Sequence, residues 1–112
     1  MNYVKLFAEY NEVVTLQSAT YQTLANGRQT PTWTTVATDE APLAPASMNR
    51  MQYEAGMGIT MTTVLYLDIT DNAAIAAVVA IGNRIVAGTK NYDVVGIHPY
   101  GTHLEVSLNV VL

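Results

Sequence analysis

The 112-residue chain contains no cysteine, which excludes disulfide bonds, a thiolate nucleophile and cysteine-based metal sites. Charged residues are scarce as well. Five Lys and Arg stand against nine Asp and Glu, so the basic surface of a dedicated nucleic-acid binder is missing. Because half of the residues are apolar, we expect neighbouring molecules to cover part of the surface.

Long hydrophobic runs are also missing. The longest one, residues 73–81, is far shorter than the roughly 20 residues that a membrane span needs. Lys5, Glu9 and Glu12 interrupt the N-terminal region where a signal peptide would carry its apolar core. The sequence therefore predicts a soluble, non-secreted protein with no membrane partner.

Residues 82–112 show the clearest pattern of the chain. Runs rich in β-branched residues alternate with turn residues, which predicts three antiparallel strands. In the last strand Leu104, Val106, Leu108 and Val110 share one face, and Glu105, Ser107 and Asn109 share the other. A meander with one apolar face is marginal in water, so we expect a second sheet or a closed barrel to cover it.

The upstream chain supplies that cover. Residues 13–20 and 32–38 are predicted strands joined through the turn dipeptide Asn26-Gly27, and residues 59–69 form the longest and cleanest predicted strand. The sequence thus predicts a single all-β domain over residues 1–112, a small antiparallel β-barrel or sandwich of about six strands with one or two short helices and long loops.

Three segments are less regular. Residues 1–12 contain a helix or an arm, since the apolar spacing of residues 3–10 suits one helical face. Residues 39–58 are predicted to be mostly a long surface connection, with a short helix near 47–54 that Ser47 caps and an Arg50–Glu54 pair supports. Residues 71–82 favour a small helix over a strand.

Residues able to carry chemistry are few. His98 and His103 flank the last turn, where zinc would need Asp93 and Glu105 as further ligands, and we interpret both histidines as exposed turn residues. Ser107 lies on a strand and not on a nucleophile elbow. We therefore expect no enzyme activity, no catalytic residues, no cofactor and no metal.

The order of the elements resembles the bacteriophage head closure proteins, also called stoppers or head-tail joining proteins. The segments that carry the resemblance are Val14-Thr15-Leu16-Gln17, Ala25-Asn26-Gly27, residues 31–38, Ala41-Pro42-Leu43, Glu54-Ala55-Gly56, residues 66–70, Gly82-Asn83-Arg84-Ile85, Gly88, residues 92–96 and Leu104-Glu105-Val106. The chain departs from the family pattern in its longer residues 1–12 and in an apparent insertion at 73–81.

The resemblance implies a structural virion protein at the head-tail interface, assembled in the host cytoplasm. Such subunits form a homo-oligomeric ring, here expected to be hexameric, that docks below the portal and adaptor proteins. The ring retains the packaged DNA by non-specific contact and offers an attachment surface to tail proteins. The alternatives are a tail terminator or other tail-side ring protein, and a monomeric β-sandwich module that binds carbohydrate through Trp33 and Tyr100.

Two sets of residues are predicted to make contacts in such a ring. We prefer the connection 39–58 over the loop 21–30 as the channel-facing segment, with Arg50 available to a DNA phosphate. The apolar residues 73–81 are predicted to pack on a neighbouring subunit. The candidate channel residues are Met48, Asn49, Arg50, Met51 and Gln52, and the candidate inter-subunit residues are Ile75, Val78 and Val79.

Overall fold

The computed structural model describes residues 10–58 and 60–111, which form a closed antiparallel β-barrel with strand order β1-β2-β3-β6-β5-β4. This confirms the predicted all-β class and the count of about six strands. The strands are β1 (Asn11–Thr23), β2 (Gln29–Pro45), β3 (Thr63–Asp68), β4 (Arg84–Ala87), β5 (Lys90–Pro99) and β6 (His103–Val111), and the helices are α1 (Met48–Gly56) and α2 (Ala73–Ala76).

The barrel interior is filled by alternate residues of its strands, as period-2 patterning requires. Val14 and Leu16 of β1 are fully buried there, and Val106 and Leu108 lie on the inward face of β6, as predicted. The other buried members are Ala41, Leu43, Leu65, Leu67, Ile75, Ile85, Ala87, Tyr92 and Val94.

Helix α2 follows β3 and covers part of the barrel interior. Asn72 fastens it, because its side chain accepts a hydrogen bond from the Asp68 N–H at 3.0 Å and donates one to the Glu40 carbonyl at 2.9 Å. Ile75 is fully buried in the main core, so the prediction that it contacts a neighbouring subunit is wrong. The prediction of a small helix within residues 71–82 is confirmed, although the helix ends at Ala76.

Helix α1 covers the outer face of the barrel and forms a second, smaller core with β3. Ser47 caps it by accepting a hydrogen bond from the Arg50 N–H at 3.1 Å, as the sequence predicted. The prediction of a mostly irregular connection over 39–58 is wrong, since β2 continues to Pro45 and α1 follows directly. The residues buried in the second core are Ala44, Met61, Val64 and Tyr66.

Strand β3 differs from the expectation of the longest and cleanest strand at 59–69. It has 6 residues, whereas β2 has 17. Leu65 and Leu67 point into the barrel, while Val64 and Tyr66 are buried on its other face. Both faces of β3 are covered, which is why Tyr66 does not face solvent.

Residues 18–34 form a projecting hairpin, because β1 pairs with β4 only over residues 14–17 and β2 pairs with β3 only over residues 43–45. A β-bulge between Leu16 and Gln17 marks its base, where such an irregularity bends and twists a strand. With this hairpin the molecule measures 54 × 31 × 26 Å.

Two remaining predictions concern the membrane and the N-terminus. Within the described ranges, neither helix is long and apolar enough to cross a membrane. The helix or arm expected for residues 1–12 lies outside the described residues up to position 9, and β1 begins at Asn11.

Candidate functional sites

An ion cluster lies between α1 and the outer face of β5 and β6. Arg50 is at its centre. The Nε atom of Arg50 lies 3.2 Å from Glu54 Oε1, and its Nη1 atom lies 2.5 Å from Glu105 Oε1. A third, longer contact of 3.5 Å joins Arg50 Nη2 to the Ser107 hydroxyl. The predicted Arg50–Glu54 pair is therefore confirmed, and the same guanidinium also ties α1 to β6.

Each carboxylate of the ion cluster also meets a histidine. His98 Nε2 lies 2.9 Å from Glu54 Oε1, a short contact without hydrogen-bond alignment, and His103 Nε2 lies 3.2 Å from Glu105 Oε2. The Tyr100 ring stacks on His103 with centroids 5.2 Å apart. The interpretation of the histidines as exposed turn residues is wrong, since His103 is buried and His98 is partly buried, both against carboxylates.

The electrostatics of the ion cluster keep Arg50 charged. Burial of the guanidinium favours its neutral form, but the hydrogen bond and negative charge of Glu105, together with the hydrogen bond to Glu54, outweigh that effect and raise the pKa of Arg50 above its ordinary value. Its donors are engaged within the chain, which removes the basis for the predicted phosphate contact.

The arrangement is better suited to hold α1 against β6 than to catalysis or metal binding. The Arg50 cation lies between the two carboxylates, where a metal ion would have to bind, and no group of three His, Asp or Glu side chains in the described residues could hold one. Ser107 contacts Arg50 in place of a base. The cluster joins parts of the chain 55 residues apart, so only the spacing of Arg50 and Glu54 signalled it in the sequence.

The predicted contact residues do not form one surface. Met48 and Gln52 are exposed on α1, whereas Met51 packs against the second core. Asn49 is part of the same helix. A channel-facing role for this segment stays a prediction, for which Met48 and Gln52 are the available side chains.

The candidate inter-subunit residues also differ in their burial. Val78 is 50% exposed, Val79 is partly buried against the main core, and Ile75 lies inside that core. Val78 alone is therefore placed to contact a neighbouring molecule.

The projecting hairpin was only partly visible in the sequence. Its turn was predicted from Asn26-Gly27, and Gly27 adopts a φ of +84°, a conformation that other residues rarely accept. The Leu24 N–H donates to the Arg28 carbonyl at 2.7 Å and the Gly27 N–H donates to the Leu24 carbonyl at 2.9 Å. Arg28 is the only charged residue between positions 13 and 38.

The hairpin has two different faces. Ala19 pairs with Trp33 and Tyr21 with Pro31, so these four side chains share one face. The other face carries hydroxyl and amide groups and is called the threonine face here; its members are Ser18, Thr20, Gln22, Thr30, Thr32 and Thr34. Among the described residues, no third strand pairs with either edge of the hairpin.

A polar row crosses three strands on the outside of the barrel. Arg84 on β4 is opposite Asp93 on β5, and Asp93 is opposite Asn109 on β6, so the three side chains point to the same side. The Arg84 guanidinium lies over the Trp33 ring at 4.1 Å from its centroid. The polar row lines an open cleft of about 610 Å³ together with Tyr21, Trp33 and Ile81.

Comparison with known proteins shows the fold alone. No family model matches the chain, and no curated protein matches it. Among solved structures, the chain is similar to the solution structure of protein SF1141 from Shigella flexneri 2a. The TM-score is 0.64 at 16% sequence identity, over 88% of this chain and 90% of that one. This supports the compact all-β fold and carries no information on activity.

Proposed function

We propose that the protein is a ring-forming structural subunit of a bacteriophage neck, acting in head closure. The order of its elements resembles that family, and the projecting hairpin is the observation that supports subunit assembly. A two-stranded ribbon is marginally stable alone in water and presents unpaired main-chain groups along its edges. Among the described residues, the hairpin has no strand partner on either of its two edges, so it is the segment suited to bind a neighbour.

The chemistry of the hairpin agrees with this role. Natural monomers protect exposed edges with charged residues, whereas this hairpin carries only Arg28. Leu24 and Arg28 form a hydrogen-bonded pair, and such pairs alternate with non-hydrogen-bonded pairs along the hairpin, so Tyr21 and Pro31 form a non-hydrogen-bonded pair. The backbone nitrogen of Pro31 therefore faces the outer edge, where proline has no N–H to donate to another strand. The edge on the β1 side, residues 18–23, has no such block.

Contacts between different surfaces of identical subunits close into rings when the rotation permits. The free edge on the β1 side of one subunit and the threonine face of the next are different surfaces of this kind. The hairpin, and no longer the apolar segment 73–81, is therefore the main segment that we expect at the ring interface. With Arg28 as its single charged residue, the hairpin would also bind passing DNA only weakly.

Adding a charge to the hairpin tests assembly. Thr20 and Thr32 are exposed cross-strand partners, so the double replacement Thr20→Lys with Thr32→Lys places two positive charges on the threonine face while leaving the barrel folded. We expect the unmodified protein to sediment as a ring, and the double variant as a monomer with unchanged far-UV circular dichroism. Thr89→Lys, in the exposed turn before β5, is the matched control and should still form rings.

Head closure itself requires a second experiment. Purified protein is added to tailless, DNA-filled heads and to headless tails of the same virus, and binding is followed by negative-stain electron microscopy and by nuclease protection of the DNA. We expect binding at the head vertex and retention of the DNA. Binding to tails alone would instead identify a tail terminator, and a monomer that binds neither particle would refute the proposal.

A further inference from the structure

The outer cleft, lined by Tyr21, Trp33, Ile81 and the polar row, has the features of a binding site. Its volume of about 610 Å³ lies in the range of small-molecule pockets. Tyr21 is 60% exposed and Ile81 is 68% exposed, so large apolar surfaces are left open beside charged and amide groups. Such a mixture of apolar faces and convergent polar groups is typical of ligand sites.

We propose that the outer cleft binds a neutral oligosaccharide. A sugar ring has an apolar face of C–H groups that can lie against the Tyr21 ring, and hydroxyl groups that both donate and accept hydrogen bonds. The polar row offers the matching partners in sequence: the Arg84 guanidinium donates, the Asp93 carboxylate accepts, and the Asn109 amide does both. The three groups extend over about 10 Å, two strand spacings of the sheet.

Charge decides against a nucleotide or nucleic acid. Arg84 and Asp93 are opposite each other, so the positive and negative charges of the polar row balance. The chain as a whole carries a net charge of −4, and nucleic-acid affinity comes largely from cationic groups that neutralise phosphates. A neutral ligand has no phosphates to neutralise, so its binding in this cleft does not require an excess of cationic groups.

Backbone pairing decides against an extended peptide. β4, β5 and β6 are neighbours inside the closed barrel, and their main-chain groups are used by the ladder beneath the polar row. A peptide that adds to a sheet gains its affinity from a free edge, which this part of the sheet lacks. The ligand must be recognised by side chains.

The cleft is also partly organised before any ligand binds. The stacking of Arg84 on Trp33 at 4.1 Å restricts both side chains, and Arg84 Nε is buried without a hydrogen-bond partner among the described residues. The side chains of Tyr21 and Trp33 lie on the opposite side of the hairpin from the threonine face.

Trp33 is the only tryptophan of the chain, so intrinsic fluorescence of the full-length protein reports directly on the cleft. The probes are maltose, cellobiose, lactose and chitobiose, each titrated to 20 mM, with saturation-transfer difference NMR as the second readout. We expect at least one disaccharide to give a saturable change with a dissociation constant of the order of 1 mM. Tyr21→Ala and Asp93→Ala should each weaken binding about tenfold or more.

Tyr100→Ala is the control, since this exposed tyrosine stacks on His103 and does not line the cleft, and its sugar affinity should be unchanged. The proposal is overturned if none of the four sugars gives a saturable signal, or if Asp93→Ala binds as well as the unmodified protein. Stronger binding of the uncharged peptide Gly-Ser-Thr-Ser-Gly than of any sugar would likewise overturn it and assign the cleft to a protein segment.

Discussion

Arg50 makes side-chain contacts with three residues, two on β6 and one on its own helix. It joins Glu54 on its own helix to Glu105 on β6, and both carboxylates are nearly or fully buried. Removing one partner from such a group leaves the others without compensation, which costs more than the pair itself contributes. Arg50 therefore matters to the attachment of α1.

Replacing Arg50 by Met should lower the free energy of unfolding by about 1.5–3 kcal/mol, the range for hydrogen bonds to charged groups. Urea denaturation followed by circular dichroism measures this change. Arg28→Met, on the exposed turn of the hairpin, is the control and should change stability by less than about 0.5 kcal/mol. An equal effect of the two substitutions would show that the ion cluster does not hold the helix.

Tyr92 lies in the main core and makes the free energy of unfolding depend on pH in the alkaline range. Burial, with a smaller effect of the Glu12 charge, raises the pKa of Tyr92 above its ordinary value of 10.0. The unfolded chain therefore releases this proton at a lower pH than the folded protein does. The resulting stability is fully present below about pH 10 and is lost as the pH rises through the folded pKa.

We expect Tyr92→Phe to reduce this alkaline loss. The free energy of unfolding is measured by urea titration at pH 8 and at pH 11 for both proteins. The decrease between the two pH values should be smaller for the variant, because it has no phenol to ionise at this position. A decrease of the same size in both proteins would contradict the prediction.

At the scale of the elements, α2 and the segment after it lie in two different environments, the main core and the surface. Ile75 fills the main core, whereas Val78, three residues later, is half exposed. Sequence reasoning assigned both residues to a neighbouring subunit, because a short apolar run has the same composition in a core and in an interface. Only the position of the helix against β2 and β3 separates the two roles.

Ile75→Ala should destabilise the protein by about 2–5 kcal/mol, the usual cost of such a truncation in a core. Val78→Asp should change the free energy of unfolding by less than about 0.5 kcal/mol. Thermal denaturation of the two variants tests the pair. If Val78→Asp unfolds the protein, Val78 belongs to the core. If the variant stays folded but forms rings less well, the prediction that Val78 contacts a neighbouring subunit is supported.

At the scale of the whole molecule, local stability should differ sharply between the barrel and the hairpin. The barrel strands are bound on both sides, whereas the hairpin strands are bound only to each other. Amide exchange reports such differences, because weakly supported segments open at a small cost in free energy.

Hydrogen exchange measured by mass spectrometry should therefore show fast exchange over residues 18–34 and slow exchange over β3 and β6 in the monomeric Thr20→Lys, Thr32→Lys variant. In the unmodified ring the residues 18–23 should become protected, since a neighbour would then satisfy their edge. Equal exchange of this segment in both proteins would mean that another surface forms the ring.

The sequence by itself determined the strands with one inward face. Val14 and Leu16, or Val106 and Leu108, alternate with polar residues, and this period depends only on the local geometry of an extended chain. The cap at Ser47 and the turn at Gly27 were predictable for the same reason, because both depend on neighbouring residues.

Only the tertiary structure decided the rest. The short β3 with two buried faces, the free edges of the hairpin and the ion pair between Glu105 and Arg50 of α1 all depend on which distant segment lies opposite. Arg84, Asp93 and Asn109 likewise form a row only through the register of three strands. Register and barrel closure are set by contacts between residues far apart in the chain, and local periodicity carries no record of them.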